Sequence, residues 1–288
     1  MSTAGFSYQE AFSRNLGWVT APEQEKLHRK RVAIAGLGGV GGSHLLTLAR
    51  LGIGRFHIAD LDVFEQANFN RQAGAFVSTL GRPKIDVLAA LARDINPEVE
   101  FRKFDHGVTP ANVEAFLDGV DLYVDGLDFF AFDAREAVFE ACRQRSIPAI
   151  TVAPLGMGAA LLNFMPGAMS FETYFRWKGC SEQEKAVRFL VGLAPALLHR
   201  TYLADAARVD LGAQRGPSTA MACELCAGIA ATEALKILLG RGKVIAAPVG
   251  VQFDAFRGRY VKTWRPFGNA NPLQLLAIGV AKRRLGIR

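Results

Sequence analysis

The chain has 288 residues, of which 50% are hydrophobic and 21% charged, and this is the composition of an ordinary globular protein. Its 34 Lys and Arg residues against 27 Asp and Glu residues give a net charge of +7. Because the basic residues are spread along the chain, the charge suits an anionic substrate such as a nucleotide but does not require nucleic acid or a membrane surface as partner.

The sequence also lacks the usual marks of secretion. Residues 1–10 have no basic head followed by an apolar core, and no apolar run approaches the roughly 20 residues that span a bilayer. The four cysteines, Cys142, Cys180, Cys223 and Cys226, are too few and too unevenly spaced for a disulfide framework. We therefore expect a cytoplasmic protein without a membrane partner.

The first 60 residues predict a helical lead-in followed by a strand–helix–strand unit. Apolar residues recur at helical spacing over residues 7–28, and Thr20-Ala-Pro-Glu suits a helix start. A β-branched run over residues 31–35 leads into glycines, a helix is predicted over 43–51, and a second strand over 55–60. The helix then forms the crossover between two parallel strands.

The alternation of strands and helices continues over the next hundred residues. A helix that begins with Thr109 as its cap and Pro110 in its first turn is predicted. The other predictions are helices over 83–94 and 131–146 and strands over 99–104, 120–125 and 149–152. Such alternation favours an α/β fold with a doubly wound, mainly parallel Rossmann-like sheet.

The second half of the chain is less regular. Residues 165–217 contain apolar stretches, prolines and glycines without a sheet pattern, which indicates a variable helical or irregular insertion. A long helix is predicted over 221–239, and a hairpin around Gly258 over 249–256 and 259–264.

A glycine-rich motif, Gly36-Leu-Gly38-Gly39-Val-Gly41, lies between the first predicted strand and the helix after it. Glycines there let backbone N–H groups and the helix N-terminus approach a phosphate. Asp60, about 20 residues on, ends the next strand, where its carboxylate can accept a hydrogen bond from ribose. The motif predicts nucleotide binding, but it does not distinguish a nicotinamide or flavin cofactor from ATP.

The residues after the second strand make that distinction. Asp60-Leu-Asp62 is followed by Asn68-Phe-Asn-Arg71-Gln72 and then by Gly81-Arg-Pro-Lys84. With these motifs the chain resembles the ThiF/MoeB/HesA family of ubiquitin-activating-enzyme-like proteins over roughly residues 8 to 264. Further matches are Phe12-Ser-Arg14, Asn96-Pro97, Asp125-Gly-Leu-Asp128 with Arg135, and the late helix at 230–240.

The resemblance implies an adenylyltransferase that binds ATP and Mg²⁺ and activates a carboxylate as an acyl-adenylate, releasing pyrophosphate. Arg71 and Lys84 would contact the phosphates, Asn68 would orient phosphate oxygens, and Asp128 would hold Mg²⁺. Arg14 would reach the triphosphate of a neighbouring subunit, which implies a homodimer. The remaining nucleotide-binding residues would be Gly36, Gly38, Gly39, Gly41, Asp60 and Asp62.

Several acceptors remain open. The resemblance implies a ubiquitin-like or sulfur-carrier protein, or a small peptide, whose C-terminal carboxylate is activated. A sister branch that acts on threonylcarbamoyladenosine in tRNA is the alternative, since the segment from Gly107 to Glu114 is similar to it. An NAD-dependent oxidoreductase is the alternative from another class. It would explain the glycine motif but leave four residues unexplained: Asn68, Arg71, Lys84 and Asp128.

Two departures from the family pattern concern this site. Phe129 follows Asp128 where relatives usually carry Asn, and only one Cys-x-x-Cys pair, Cys223 with Cys226, is present where many relatives bind Zn²⁺ with two. The single pair favours helix packing over zinc. Cys180 lies in the variable segment where some relatives place a nucleophile, and a thioester or persulfide role for it is left open.

These patterns divide the chain into four parts. They are a helical lead-in of residues 1–30, an ATP-binding Rossmann-like core of residues 31–164, a variable insertion or substrate segment of residues 165–217, and a closing part of residues 218–288. The closing part combines the late helix, the last strands and a C-terminal extension.

Overall fold

The computed structural model describes residues 5–210, 212 and 216–287, and within this part of the chain eight strands form one sheet. The strands are β1 (Arg31–Ala35), β2 (Arg55–Ala59), β3 (Glu100–Phe104), β4 (Leu122–Asp125), β5 (Ala149–Leu155), β6 (Gly158–Phe164), β7 (Val249–Asp254) and β8 (Arg259–Trp264). Their order is β3-β2-β1-β4-β5-β6-β7-β8. Strands β1 to β5 run parallel to their neighbours, and the pairs from β5 to β8 are antiparallel.

Helices cover both faces of the sheet, which confirms the doubly wound, mainly parallel fold. The helices are α1 (Tyr8–Ala11), α2 (Ala21–His28), α3 (Gly39–Arg50), α4 (Lys84–Ile95), α5 (Val113–Phe116), α6 (Phe132–Gln144), α7 (Phe171–Phe175), α8 (Glu182–Leu193), α9 (Ala220–Leu239) and α10 (Pro272–Arg284). Strand β1 shows the two faces, because Val32 and Ile34 pack with α3, α4 and α9, whereas Ala33 and Ala35 pack with α5, α6 and α8. None of the described helices is long and apolar enough to cross a membrane.

The lead-in begins where its sequence predicts. Thr20 caps α2 in a reciprocal capping box, since its Oγ1 accepts from Glu23 N at 3.3 Å and its N–H donates to the Glu23 carboxylate at 2.8 Å. The lead-in is attached to the far end of α3, where Asn15 Nδ2 donates to the Leu51 carbonyl oxygen at 3.3 Å. This attachment determines where the neighbouring residue, Arg14, lies.

The prediction of a helix capped by Thr109 is wrong. The Asn112 side chain accepts from Thr109 N at 2.8 Å and donates to the Gly107 carbonyl oxygen at 2.9 Å, so these residues form a closed turn. The helix, α5, begins only at Val113 and makes a single turn. An Asn side chain that bonds nearby backbone groups competes with helix formation in this way.

Strand β6 was not predicted. Its residues, Gly-Ala-Ala-Leu-Leu-Asn-Phe, are all buried, so they show no alternation of apolar and polar side chains. In the described part of the insertion, aromatic rings pack α7 on β6 and on α8, and α8 on α6. Trp177 lies 5.3 Å from Phe132 and 5.6 Å from Phe189, measured between ring centroids.

Candidate active site

The glycine-rich loop lies at the carboxyl edge of the parallel strands, between β1 and α3. Gly36 has φ +80°, and a Cβ there would collide with the Gly126 carbonyl oxygen. A Cβ at Gly41 would overlap the Gly36 carbonyl oxygen. Gly38 is the N-cap of α3, so the first N–H groups of this helix have no partner within it. This backbone forms a cradle that can bind a phosphate.

Asp60 joins the glycine loop to the turn after β2. Its carboxylate accepts from Leu37 N at 2.6 Å and from Asp62 N at 2.8 Å, and only 8% of the residue is exposed. Burial raises the pKa of Asp60 above its ordinary value, while the two N–H donors act in the opposite direction. Asp60 therefore lies beside the cradle, and a hydrogen bond from ribose to it stays a prediction.

Lys84 and Asp62, both predicted site residues, lie together. Lys84 Nζ contacts Asp62 Oδ2 at 2.9 Å, with side-chain exposures of 7% and 57%. The backbone holds this pair, because Lys84 N donates to the Asp62 carbonyl oxygen at 3.0 Å. An ammonium group has three donors, so Lys84 can keep this carboxylate and still donate to a phosphate oxygen.

Asn68 and Arg71 belong to one compact turn. Asn68 Oδ1 accepts from Glu65 N at 2.9 Å, and the Asn68 carbonyl oxygen accepts from Arg71 N at 3.1 Å. Arg71 Nη1 donates to the Ala67 carbonyl oxygen at 3.1 Å, and Arg71 Nε lies 3.6 Å from where a Cβ would stand on Gly39. The structure therefore places the Arg71 guanidinium against the first turn of α3.

Gln72 borders the cradle and was not among the predicted site residues, although it ends the Asn-Phe-Asn-Arg-Gln motif. Its Nε2 lies 3.7 Å from where a Cβ would stand on Gly38, and only 8% of the residue is exposed. Its Oε1 is buried and has no hydrogen-bond partner among the described residues. An unpaired buried acceptor costs about 1–3 kcal/mol, so a ligand or water that donates to it would stabilise this region.

The loop after β4 packs directly on the glycine loop. A Cβ at Gly126 would lie 2.8 Å from Gly41 Cα. Two residues later, Asp128 is exposed, with Oδ1 accepting from Phe130 N at 3.0 Å. Within the described ranges, no group of three or more His, Cys, Asp or Glu side chains could hold a metal by itself. A Mg²⁺ ion at Asp128 would need phosphate oxygens and water as further ligands, which is how Mg²⁺ is usually bound.

A buried ion pair shapes the Asp128 loop. Arg135, which is 2% exposed, donates through Nε to Asp125 Oδ2 at 2.9 Å. Its Nη2 donates to the carbonyl oxygens of Leu127 at 2.8 Å and Asp128 at 2.9 Å. The sequence matched Arg135 to the family but gave it no role. The structure shows that it positions the backbone that presents Asp128.

Phe129, the residue that departs from the pattern expected by resemblance, contacts helix α8. Its ring lies 5.1 Å from the ring of Phe189 on α8, measured between centroids. The Arg135 guanidinium lies 4.6 Å from the centroid of the same Phe189 ring. Helix α8 of the insertion therefore packs over the Asp128 loop, and Phe129 is part of that contact.

Arg14 lies away from the other predicted residues of its own chain. It is exposed and has no hydrogen bond or ion pair to another described residue. Its neighbour Asn15 contacts Leu51 at the C-terminal end of α3, whereas the glycine loop is at the N-terminal end. Helix α3 has 12 residues and is about 18 Å long, so the chain does not bring Arg14 to its own cradle.

The cysteines are poorly suited to act as thiolates in this structure. Cys223 and Cys226 are fully buried on α9, and burial raises the pKa of both. Cys223 Sγ lies 3.2 Å from where a Cβ would stand on Gly39, so it packs against the glycine loop. Burial also raises the pKa of Cys180, although less of this side chain is buried. Its thiol is therefore the dominant form at neutral pH.

Comparison with known proteins shows which family this chain matches. Residues 12–275 match the ThiF family. The tRNA threonylcarbamoyladenosine dehydratase of Bacillus subtilis is 37% identical over 150 residues, which are 52% of this chain and 57% of that protein. The SAMP-activating enzyme E1 of Haloferax volcanii is 33% identical over 127 residues, which are 44% of this chain and 46% of that protein. The chain thus spans about half the length of these curated relatives.

A solved structure has the same fold over most of the chain. The crystal structure of Escherichia coli MccB with ATP superposes with a TM-score of 0.65 at 20% identity, covering 88% of this chain and 70% of MccB. At this identity the likeness concerns the fold.

Proposed function

Because the chain belongs to the ThiF family, we propose that it is an ATP-dependent adenylyltransferase that activates a carboxylate. The observation that carries the proposal is the cradle at the carboxyl edge of the sheet, where the Gly36–Gly41 loop is bordered by Arg71, Gln72 and Gly126. The segment that follows Asp60 contains the ion pair of Asp62 with Lys84. The segment that follows Gly126 contains Asp128. Both segments lead away from the cradle. A nicotinamide cofactor would explain the glycine loop and one cation at its pyrophosphate, but it would leave Arg71, Lys84 and Asp128 as a set unexplained.

The reaction follows from the charges. One oxygen of the acceptor carboxylate attacks the α-phosphorus of ATP, the bond from that phosphorus to the bridging oxygen of the β-phosphate breaks, and pyrophosphate leaves with the electron pair. Both reactants are anionic, so their repulsion must be offset. Arg71, Lys84 and the first N–H groups of α3 supply positive charge and dipoles for this purpose. Mg²⁺ at Asp128 would supply further charge on the phosphate oxygens.

We propose a protein or peptide C-terminus as the first acceptor. Helix α8, which packs over the Asp128 loop through Phe189, is the element of the insertion that such a chain end would meet beside this loop. The Haloferax relative is named as the activating enzyme of SAMP, which agrees with a protein acceptor. The carboxylate of threonylcarbamoyladenosine in tRNA is the second candidate, because the Bacillus relative acts on tRNA by its name and is 37% identical.

We also propose that the active enzyme is a homodimer in which Arg14 completes the site of the other copy. Arg14 does not reach its own cradle, and it is an exposed cation without a partner in the described part of the chain. The segment between β2 and α4 exposes large apolar side chains, with Leu61 at 71%, Phe76 at 51% and Val77 at 80% exposure. Large apolar side chains left exposed along one segment are typical of an interface between protein chains.

The test is ATP–pyrophosphate exchange with purified protein, Mg²⁺ and one candidate acceptor at a time. Exchange that depends on a Gly-Gly-ending carrier protein, on a peptide or on modified tRNA would support adenylylation and identify the acceptor class. The Asp128→Asn variant should lose exchange by about a hundredfold or more, while the exposed Asp94→Asn control keeps it. Unchanged exchange in Asp128→Asn would remove the metal role from this residue.

Mixed dimers test the contribution of Arg14. Arg14→Ala and Lys84→Ala should each inactivate the homodimer, but random mixing gives half of the dimers one site with both residues intact. The mixture should therefore recover about one quarter of the wild-type exchange activity. Recovery of no activity, with heterodimers demonstrated by differently tagged chains, would refute the shared site.

A further inference from the structure

The β7–β8 hairpin exposes an unusual set of side chains. Phe256, Tyr260 and Trp264 have exposures of 63%, 58% and 66%. Arg257, Arg259 and Lys262 lie between them and are also exposed. These six residues are called the hairpin surface below. Large aromatic rings grouped on an exposed strand of a folded protein commonly mark an interaction site.

The hairpin surface is exposed because the helical cover of the sheet ends before it. Helix α9 packs on β4, β5 and β6, and β8 pairs only with β7 among the described strands. Side chains alternate along a strand, so Tyr260, Lys262 and Trp264 share one face of the sheet. Lys262 pairs in register with Val251, whose side chain packs in the core on that same face. The three exposed side chains therefore continue a face that is covered elsewhere.

The charge of this surface has one sign. Residues 255–267 contain Arg257, Arg259, Lys262 and Arg265 but no Asp or Glu. The nearby Asp254 is 2% exposed, and its carboxylate accepts from the Tyr202 hydroxyl at 2.7 Å. Within the described ranges no salt bridge involves these four cations, and Lys262 Nζ lies 5.7 Å from the centroid of the Tyr260 ring.

We propose that the hairpin surface binds a single-stranded nucleic-acid segment, such as the loop of a folded RNA. Bases stack on Tyr260 and Trp264, Lys262 on the same face contacts one phosphate, and Arg257 in the turn contacts another. Every base has a flat aromatic face, so alternating rings and cations suit a single strand of any sequence. An acidic peptide would use the cations but leave the rings without a matching partner.

The position of the hairpin surface relates it to the candidate active site. Strand β8 begins at the carboxyl edge of the sheet, the same edge that holds the glycine loop. Strands β1 and β8 are five positions apart in the sheet, which corresponds to about 24 Å. A stem-loop bound at the hairpin surface can therefore extend to the cradle. The inference goes beyond the proposed adenylylation and does not depend on it.

Fluorescence anisotropy tests the proposal without nucleotide. The probe is a fluorescein-labelled RNA hairpin with a single-stranded loop, and the comparison is a blunt RNA duplex of equal length. The Tyr260→Ala/Trp264→Ala variant should weaken binding of the hairpin probe about fivefold to a hundredfold for each lost stacking contact. The Arg257→Glu/Lys262→Glu variant should make the slope of log affinity against log salt shallower by about 1.4. Thermal unfolding checks that each variant folds.

A control carries one change of each kind elsewhere on the surface. Trp18 is 83% exposed and Lys243 is exposed, so Trp18→Ala/Lys243→Glu should bind the probe like wild type. Equal binding of probe and duplex, or wild-type affinity in the aromatic variant, would overturn the proposal. Displacement of the probe by a polyglutamate peptide at comparable charge concentration would also overturn it, in favour of an acidic protein segment. Because no ATP is present, none of these results affects the proposed adenylylation.

Discussion

His44 lies on α3 with no exposed surface, and neither of its ring nitrogens has a hydrogen-bond partner among the described residues. Burial lowers the pKa of His44 from 6.5 to about 3. In the unfolded chain the ring takes up a proton as the pH falls through its ordinary value, but the folded protein does not. The stability that the neutral ring supplies is therefore complete above pH 6.5 and is lost progressively as the pH falls towards 3.

The linkage relation gives the size of this effect. One pH unit below the unfolded pKa, the proton bound by the unfolded chain lowers the free energy of unfolding by about 1.4 kcal/mol. At about pH 7.5 the same term is below about 0.1 kcal/mol, so nearly all of this first 1.4 kcal/mol is lost between about pH 7.5 and about pH 5.5, and the loss continues at lower pH. His44→Gln removes the titration but keeps a polar side chain buried, and His44→Leu removes both.

Urea unfolding of wild type and variants at about pH 7.5 and about pH 5.5 tests the reasoning. The wild type should lose about 1.4 kcal/mol more between the two pH values than either His44 variant. Burial also lowers the pKa of His57 and His199, but both are present in every protein compared. His106→Gln is the control, because the side chain of His106 is 94% exposed, and it should keep the wild-type pH dependence. Equal losses in wild type and both His44 variants would refute the reasoning.

Two further substitutions test the candidate site. Gly41→Ala should abolish ATP binding measured by calorimetry, because its Cβ would overlap a carbonyl oxygen of the glycine loop, whereas Gly228→Ala on α9 has open space and should bind normally. Asp125→Asn should lower the free energy of unfolding by about 3 kcal/mol or more in denaturant titrations, because it leaves the buried Arg135 guanidinium without its counter-charge. Arg143→Ala, which breaks an exposed ion pair, should leave stability unchanged, and equal effects of Asp125→Asn and Arg143→Ala would contradict the reasoning.

The parts of the fold that were predictable from sequence have strong local signals. The β-branched residues before Gly36 favour a strand, and Thr20 favours the capped start of a helix. The structure contains both. Strand β6 lacked such a signal, because a strand buried on both faces cannot be distinguished by alternation. The turn closed by Asn112 shows the opposite problem, since Thr109 and Pro110 suit a helix start that a neighbouring side chain prevents.

The candidate site was predictable in its residue types but not in its contacts. Motif spacing pointed to Lys84 and Asp62 separately, and only the folded backbone shows that they form a pair. The unpaired Oε1 of Gln72 and the distance of Arg14 from its own cradle depend on burial and on helix length, which a motif does not contain. The residue types of the candidate site were therefore easier to predict than the contacts that each residue makes.

The contact of Arg135 with Phe189 limits how the insertion can be exchanged between related proteins. A designer who replaces residues 165–217 to change acceptor choice also replaces the ring that lies over the Arg135 guanidinium and beside Phe129. A graft that retains an aromatic residue at the position of Phe189 keeps the loop of Asp128 covered. Grafts without this ring would need a compensating change at Phe129, so successful chimeras should vary these two positions together.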